Sequence, residues 1–272
     1  GKYLGKPIKA TMSIEAGGLN SVVPIYLAAR LGVPMVDCDG MGRAFPEIQM
    51  VTHTIHDISA TPFAMSDERG NTVLMETINN RWTETFARSV TVNMGAMSMI
   101  AMYPATAKEL KEAAITGTIT LAEEIGKVVR RARLEDDNPV ETIREAVGGY
   151  LIFKGKIGDV QRRTEAGFAK GDAFIEGIEE YAGKQLQLSF QNEHLAARID
   201  GEFKVTVPDL IAVLDVDTGE PITTEGLRYG FRVAVIAMPC ADKWRTDKGI
   251  ELVGPGYFGY DTPYVPVEEV YG

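Results

Sequence analysis

Apolar and polar positions alternate over residues 7–14, PIKATMSI, and this period of two predicts a strand. The turn Glu15-Ala-Gly-Gly18 then leads into an apolar stretch that predicts a helix over 20–31. A brief apolar run at 33–36, stopped by Asp37-Cys38-Asp39-Gly40, reads as a second, buried strand. Strand, helix and strand in that order predict an α/β N-terminal domain with a partial parallel sheet. Pro46 suits a first helical turn, where its missing N–H is not needed, so a helix is expected over 46–56. Residues 62–67 and 72–77, around Glu68-Arg-Gly-Asn71, predict a hairpin. A helix over 79–90 and a strand over 98–103 follow, then helices over 105–115, 119–133 and 139–147. The basic last turn of the 119–133 helix suits the negative end of its dipole.

From Tyr150 the pattern changes to short β-type runs at 151–157, 171–178, 185–191, 202–207, 209–215 and 232–238, split by turn residues. The expected organisation is therefore an α/β domain over 1–104, a helical connection over 105–149 and a β-rich C-terminal domain over 150–272. A length of 272 residues suits two domains.

Composition narrows the function classes. No apolar run reaches the roughly 18 to 20 residues of a membrane span, and the first residues have no signal-peptide core, so no membrane association is expected. The two cysteines, Cys38 and Cys240, are too few for a disulfide framework and fit a reducing cytoplasm. A formal charge of -10 opposes the phosphate attraction that dominates nucleic-acid affinity, and nucleic acid is not an expected partner. The chain opens on Gly1 rather than Met, and a front piece is expected to be absent.

The segment 37–47, DCDGMGRAFPE, holds the most chemistry: two acids at the carboxyl end of a predicted parallel strand, two glycines, an arginine and a helix start. Asp37, Asp39, Arg43 and Glu47 are the candidate catalytic residues. Gly40 and Gly42 would let backbone N–H groups approach a ligand, as would Gly17 and Gly18 in the preceding loop. The bland alternative makes Asp39 a turn cap and pairs Arg43 with Glu47. Glu15 and Asn20 flank that preceding loop and are candidate ligand contacts, although Asn20 serves equally as a helix N-cap. Both loops are expected at one rim, forming a shared pocket. His53 and His56, three apart on the predicted helix, are the candidate metal ligands, with a divalent ion such as zinc as the cofactor they would hold. Two histidines at that spacing also occur simply packed or solvated. No GxSxG, GxxxxGK[ST], HExxH or CxxC motif is present.

These residues resemble a known family. Glu15-Ala-Gly-Gly-Leu-Asn20, the run 36–47 containing GMGRAFPE, residues 62–67, and in the second half 209–219 and 253–261 are similar to the S-methyl-thiohydantoin desulfurase-like proteins, which are associated with hydantoinases. The resemblance spans nearly the whole chain. It implies an α/β N-terminal domain, a β-rich C-terminal domain and hydrolysis of a small hydantoin-like or S-methyl-thiohydantoin-like ring. It alternatively implies a noncatalytic subunit or ligand-binding partner of a hydantoinase- or oxoprolinase-type enzyme. A homo-oligomer acting on a small-molecule substrate is expected. The family opens with a strand and a glycine-rich loop that do not occur before Gly1, and the expectation is either that this piece was lost or cleaved or that a separate N-terminal segment supplies it.

Overall fold

A computed structural model describes residues 1–135, 138–165 and 167–272. The chain divides into two compact units, Gly1–Ile119 and Thr120–Gly272.

The first unit contains α1 (Val22–Leu31), β1 (Cys38–Asp39), α2 (Thr52–Ile55), β2 (Phe63–Ser66), β3 (Thr72–Met75), α3 (Asn80–Asn93), β4 (Met99–Ala101), α4 (Ala107–Ala113) and β5 (Ile115–Thr116). Its sheets are small and antiparallel: β1 pairs β5, and β2 lies between β3 and β4. The expected parallel sheet is thereby corrected. The parallel relation between 7–14 and 33–36 reduces to a single bridge, Thr11 to Met35, because only Thr11 exchanges backbone hydrogen bonds with that segment. The chain does run strand-like, helix, strand-like there, but a ladder needs more than one paired residue.

Local signals set several helix ends. The Asn79 side chain accepts the Trp82 N–H at 3.0 Å and caps α3. Thr106 and Glu109 form a capping box on α4. A core of Phe63, Met65 and Ala87 joins the three-stranded sheet to α3. Around α1, by contrast, Leu19, Val22, Ile25, Tyr26 and Leu31 are exposed.

α5 (Thr118–Glu135) runs into the second unit, which continues with α6 (Pro139–Ala146), β6 (Tyr150–Glu165), β7 (Phe168–Gly177), β8 (Gln185–Gln191), β9 (Glu193–Ile199), β10 (Glu202–Thr206), β11 (Leu210–Asp215), β12 (Arg232–Met238), α7 (Asp247–Val253) and α8 (Val267–Tyr271). Its seven-stranded sheet is antiparallel at every pairing, in the order β10-β9-β8-β7-β6-β12-β11. It curls until β11 approaches β9.

Along β12 the side chains alternate between two cores. Val233, Val235 and Ala237 join the main core with Phe153, Ile175 and Leu188. Ala234 and Ile236 join Val140 and Ile143 of α6 on the other side. Both faces of this strand are covered, so its sequence is a continuous apolar run rather than an alternating one.

Candidate functional site

β1 carries the glycine-rich motif away from its short ladder, in which Cys38 lies opposite Thr116 and Asp39 opposite Ile115. The chain then folds back over the Asp39 carboxylate, whose Oδ2 accepts the N–H groups of Met41 at 3.0 Å and Gly42 at 2.8 Å. Gly42 closes this turn at φ 68°, a left-handed conformation that a Cβ would strain. Gly40 has no room for a side chain, since a Cβ there would lie 2.9 Å from the Ile14 carbonyl oxygen and 3.2 Å from His53 Nδ1. The Gly40 N–H donates to the Ile14 carbonyl at 2.9 Å, and the Ala16 N–H donates to the Arg43 carbonyl at 3.1 Å. The two glycine loops named from the sequence therefore lie side by side.

Burial dominates the electrostatics of this corner. Asp39 is wholly buried, and desolvation pushes its carboxyl up to about 6, against the Gly42 and Met41 N–H groups, Thr118 and the Ala16 backbone, which favour the charge. His53 is equally buried; desolvation, helped by nearby His56, pushes it down to about 4, and neither ring nitrogen has a hydrogen-bond partner among the described residues. Its ring lies 5.4 Å from that of Tyr103. Burial, then the charges of Asp39 and Asp37, push the Cys38 thiol up to about 11, which keeps it protonated and unfit as a nucleophile.

The other sequence candidates take varied places. Glu15 is held above the ordinary carboxylate range by burial, against the hydrogen bond it accepts from Asn20 Nδ2. The Gly17 N–H donates to Ser21 Oγ at 3.1 Å, and Gly18 is exposed. Asp37 is exposed, and its Oδ1 accepts the Ile119 N–H at 2.9 Å, at the start of α5. Buried Arg43 donates from Nε to the Ala44 carbonyl at 3.1 Å and holds its guanidinium 4.6 Å over the Phe45 ring. Glu47 accepts a hydrogen bond from Gln49 Nε2. His56 is exposed where His53 is buried. Among the described residues no three His, Cys, Asp or Glu side chains gather as a metal-binding group, so no chemical step is assigned to a metal.

Sequence reasoning missed the residues that support the motif from a distance. Thr118 faces the Asp39 carboxylate from the start of α5 and favours its charge. Glu84 accepts the Ile48 N–H at 2.9 Å and pairs with Arg88, which donates to the Pro46 carbonyl at 3.1 Å. The Glu84 and Arg88 spacing of four on a helix was a readable signal of the pair, though not of its target. Asn80 receives the Ala60 N–H at 2.8 Å and donates to Thr54 Oγ1 and the Ile58 carbonyl, each at 3.0 Å, fixing the chain after α2.

Two family profiles cover the chain, dividing it at residue 77 rather than at the 119/120 boundary of the compact units. The family profile described as "S-Me-THD-like, N-terminal domain" matches residues 1–77, and that described as "S-Me-THD-like, C-terminal domain" matches residues 78–267. An X-ray crystal structure of a protein from Chromobacterium violaceum is similar at a TM-score of 0.81 and 22% identity, over 98% of this chain and 75% of that one. At that identity the likeness is one of fold. No curated protein matches the chain.

Proposed function

The chain belongs to the S-methyl-thiohydantoin desulfurase-like family, and from that premise we propose that it is a hydrolase of a small hydantoin-like or S-methyl-thiohydantoin-like ring. The observation that carries the reading is Asp39, a buried carboxylate in the family motif with its carboxyl pushed up to about 6. A carboxyl near neutrality exchanges a proton with water more readily at cellular pH than an ordinary aspartate does. The two His53 ring nitrogens are buried polar atoms without hydrogen bonds among the described residues, and a polar heterocycle offers donors and acceptors that would match them.

Asp39 takes a proton from water as the water oxygen bonds to the ring carbon between the two nitrogens. In an S-methyl substrate the carbon–nitrogen π pair moves to the ring nitrogen; as the carbonyl forms, the hydroxyl proton passes to that nitrogen, the carbon–sulfur bond breaks, the proton held by Asp39 leaves with methanethiol, and a hydantoin remains. In a hydantoin the ring carbon–nitrogen bond breaks instead, and the nitrogen takes the proton. Arg43 supplies a fixed positive charge beside the motif, which supports a role in polarising the ring carbonyl.

Purified protein incubated with hydantoin and S-methyl-thiohydantoin derivatives is expected to release thiol or open the ring. The Asp39→Asn variant, which keeps an acceptor for the Met41 and Gly42 N–H groups, is expected to lose about a hundredfold or more in rate. Turnover of none of these rings, or undiminished turnover by the variant, overturns the reading.

A further inference from the structure

We propose that the polar face of β6 to β9 in the second unit is a separate binding site for a small oxyanion, a carboxylate or a phosphate. Strand register builds it. Arg163, Lys170 and Gln191 stand in one cross-strand row, Asp172 and Ser189 in the next, and Gln187 and Arg198 in a third. Directly opposed residues share a face, as do residues two apart on one strand, so all three rows project to the same side. They floor a cleft of about 300 Å³ walled by Phe258 and Tyr260.

The charges in the cleft are unequally committed. Glu165 pairs with both Arg163 and Lys170 at 3.1 Å. The Asp172 Oδ1 accepts from Gln187 Nε2 at 2.9 Å and Ser189 Oγ at 2.6 Å. Arg198 has no carboxylate within ion-pair distance among the described residues; instead its guanidinium lies 4.1 Å from the Phe203 ring centre and 5.6 Å from that of Tyr260. Set against two neighbouring rings whose centres lie 5.8 Å apart, it has its fork of N–H donors oriented by them, the arrangement that binds an oxyanion through two parallel hydrogen bonds. Three cations against one lining acid also make this cleft locally positive on a chain of net charge -10. Its size fits a small molecule, and the overall negative charge disfavours a polyanion such as nucleic acid. The proposal is independent of the activity assigned to the first unit.

The test follows backbone amide resonances of Ser189, Gln191 and Tyr260 while the full chain is titrated with inorganic phosphate in one arm and citrate in the other, at constant ionic strength set with sodium chloride. Saturable shifts at these residues are expected, and the tighter arm tells a phosphate site from a carboxylate site. Arg198→Gln should weaken binding about tenfold or more, on the scale of a lost charge-assisted hydrogen bond. Lys170→Gln should weaken it less, because Glu165 already offsets that charge, and Asp172→Asn should tighten it by removing the like charge. The absence of saturable shifts at about 10 mM of either ligand overturns the site. So does unchanged affinity in a folded Arg198→Gln protein or weaker affinity in Asp172→Asn. Should Arg198→Gln fail to fold, the unsubstituted chain and Asp172→Asn decide alone.

Discussion

On either side of Gly40, burial moves two titrating groups in opposite directions, and the pH dependence of stability follows from both. Asp39 titrates near 6 in the folded chain against 3.8 for an ordinary aspartate. Between those values the folded state binds more protons than the unfolded one, so stability falls as pH rises through this window, by up to about 3 kcal/mol. His53 titrates near 4 against 6.5. There the unfolded state binds more protons, and stability rises with pH. From pH 4 to 6 the two contributions oppose each other. Urea unfolding across that range should give a shallow net slope for the parent chain, a slope more positive with pH for Asp39→Asn, and one more negative for His53→Gln. A substitution that leaves the slope unchanged contradicts the burial assigned to that residue. The motif glycines made Asp39 readable from the sequence, but nothing local announced Thr118 or the empty hydrogen-bonding capacity of His53, because both depend on residues distant along the chain.

At the scale of elements, local chemistry was legible where it acts alone and failed where tertiary contacts decide. The hairpin over 62–77 and the strands at 185–191 and 232–238 appear as expected, since alternation or a continuous apolar run carries their signal. The helix expected at 46–56 shrinks to Thr52–Ile55. Its first-turn groups are held by α3 instead, the Pro46 carbonyl by Arg88 and the Ile48 N–H by Glu84. β6 extends through the polar run Gln161-Arg-Arg-Thr164 because it pairs with β7 to its end, and β9 was missed because its Ala196-Ala197 centre has little strand preference of its own. Asp209 was noticed only as part of a family run, yet it is a structural hub. Wholly buried, it accepts the Cys240 N–H at 2.9 Å, the Tyr264 hydroxyl at 2.8 Å and the Val267 N–H at 2.8 Å, tying the turn before β11 to the start of α8. Asp209→Ala strands those donors and leaves Arg245, 3.8 Å away, with Glu268 as its remaining carboxylate partner. A loss of about 3 to 5 kcal/mol in denaturant unfolding is expected; less than about 1 kcal/mol would refute the hub.

The whole chain is two units, each with a hydrophobic core of its own. Residues 120–272 contain every strand of the seven-stranded sheet, both of its packed faces and the Asp209 network. Expressed alone, that segment should give a β-rich circular dichroism spectrum and one cooperative thermal transition; a broad, non-cooperative melt would count against its autonomy. The join between the units has a mechanical side. Asp37 holds the Ile119 N–H, and the two-residue ladder of β1 with β5 ends three residues before Ile119. The Gly117 N–H donates to the Asp37 carbonyl at 2.9 Å as well, so tension applied along the chain at Ile119 reaches, through these bonds and the two paired residues, the strand that bears Asp39. Asp39 thus lies on the strand that carries the load, held against it by the Met41 and Gly42 N–H groups.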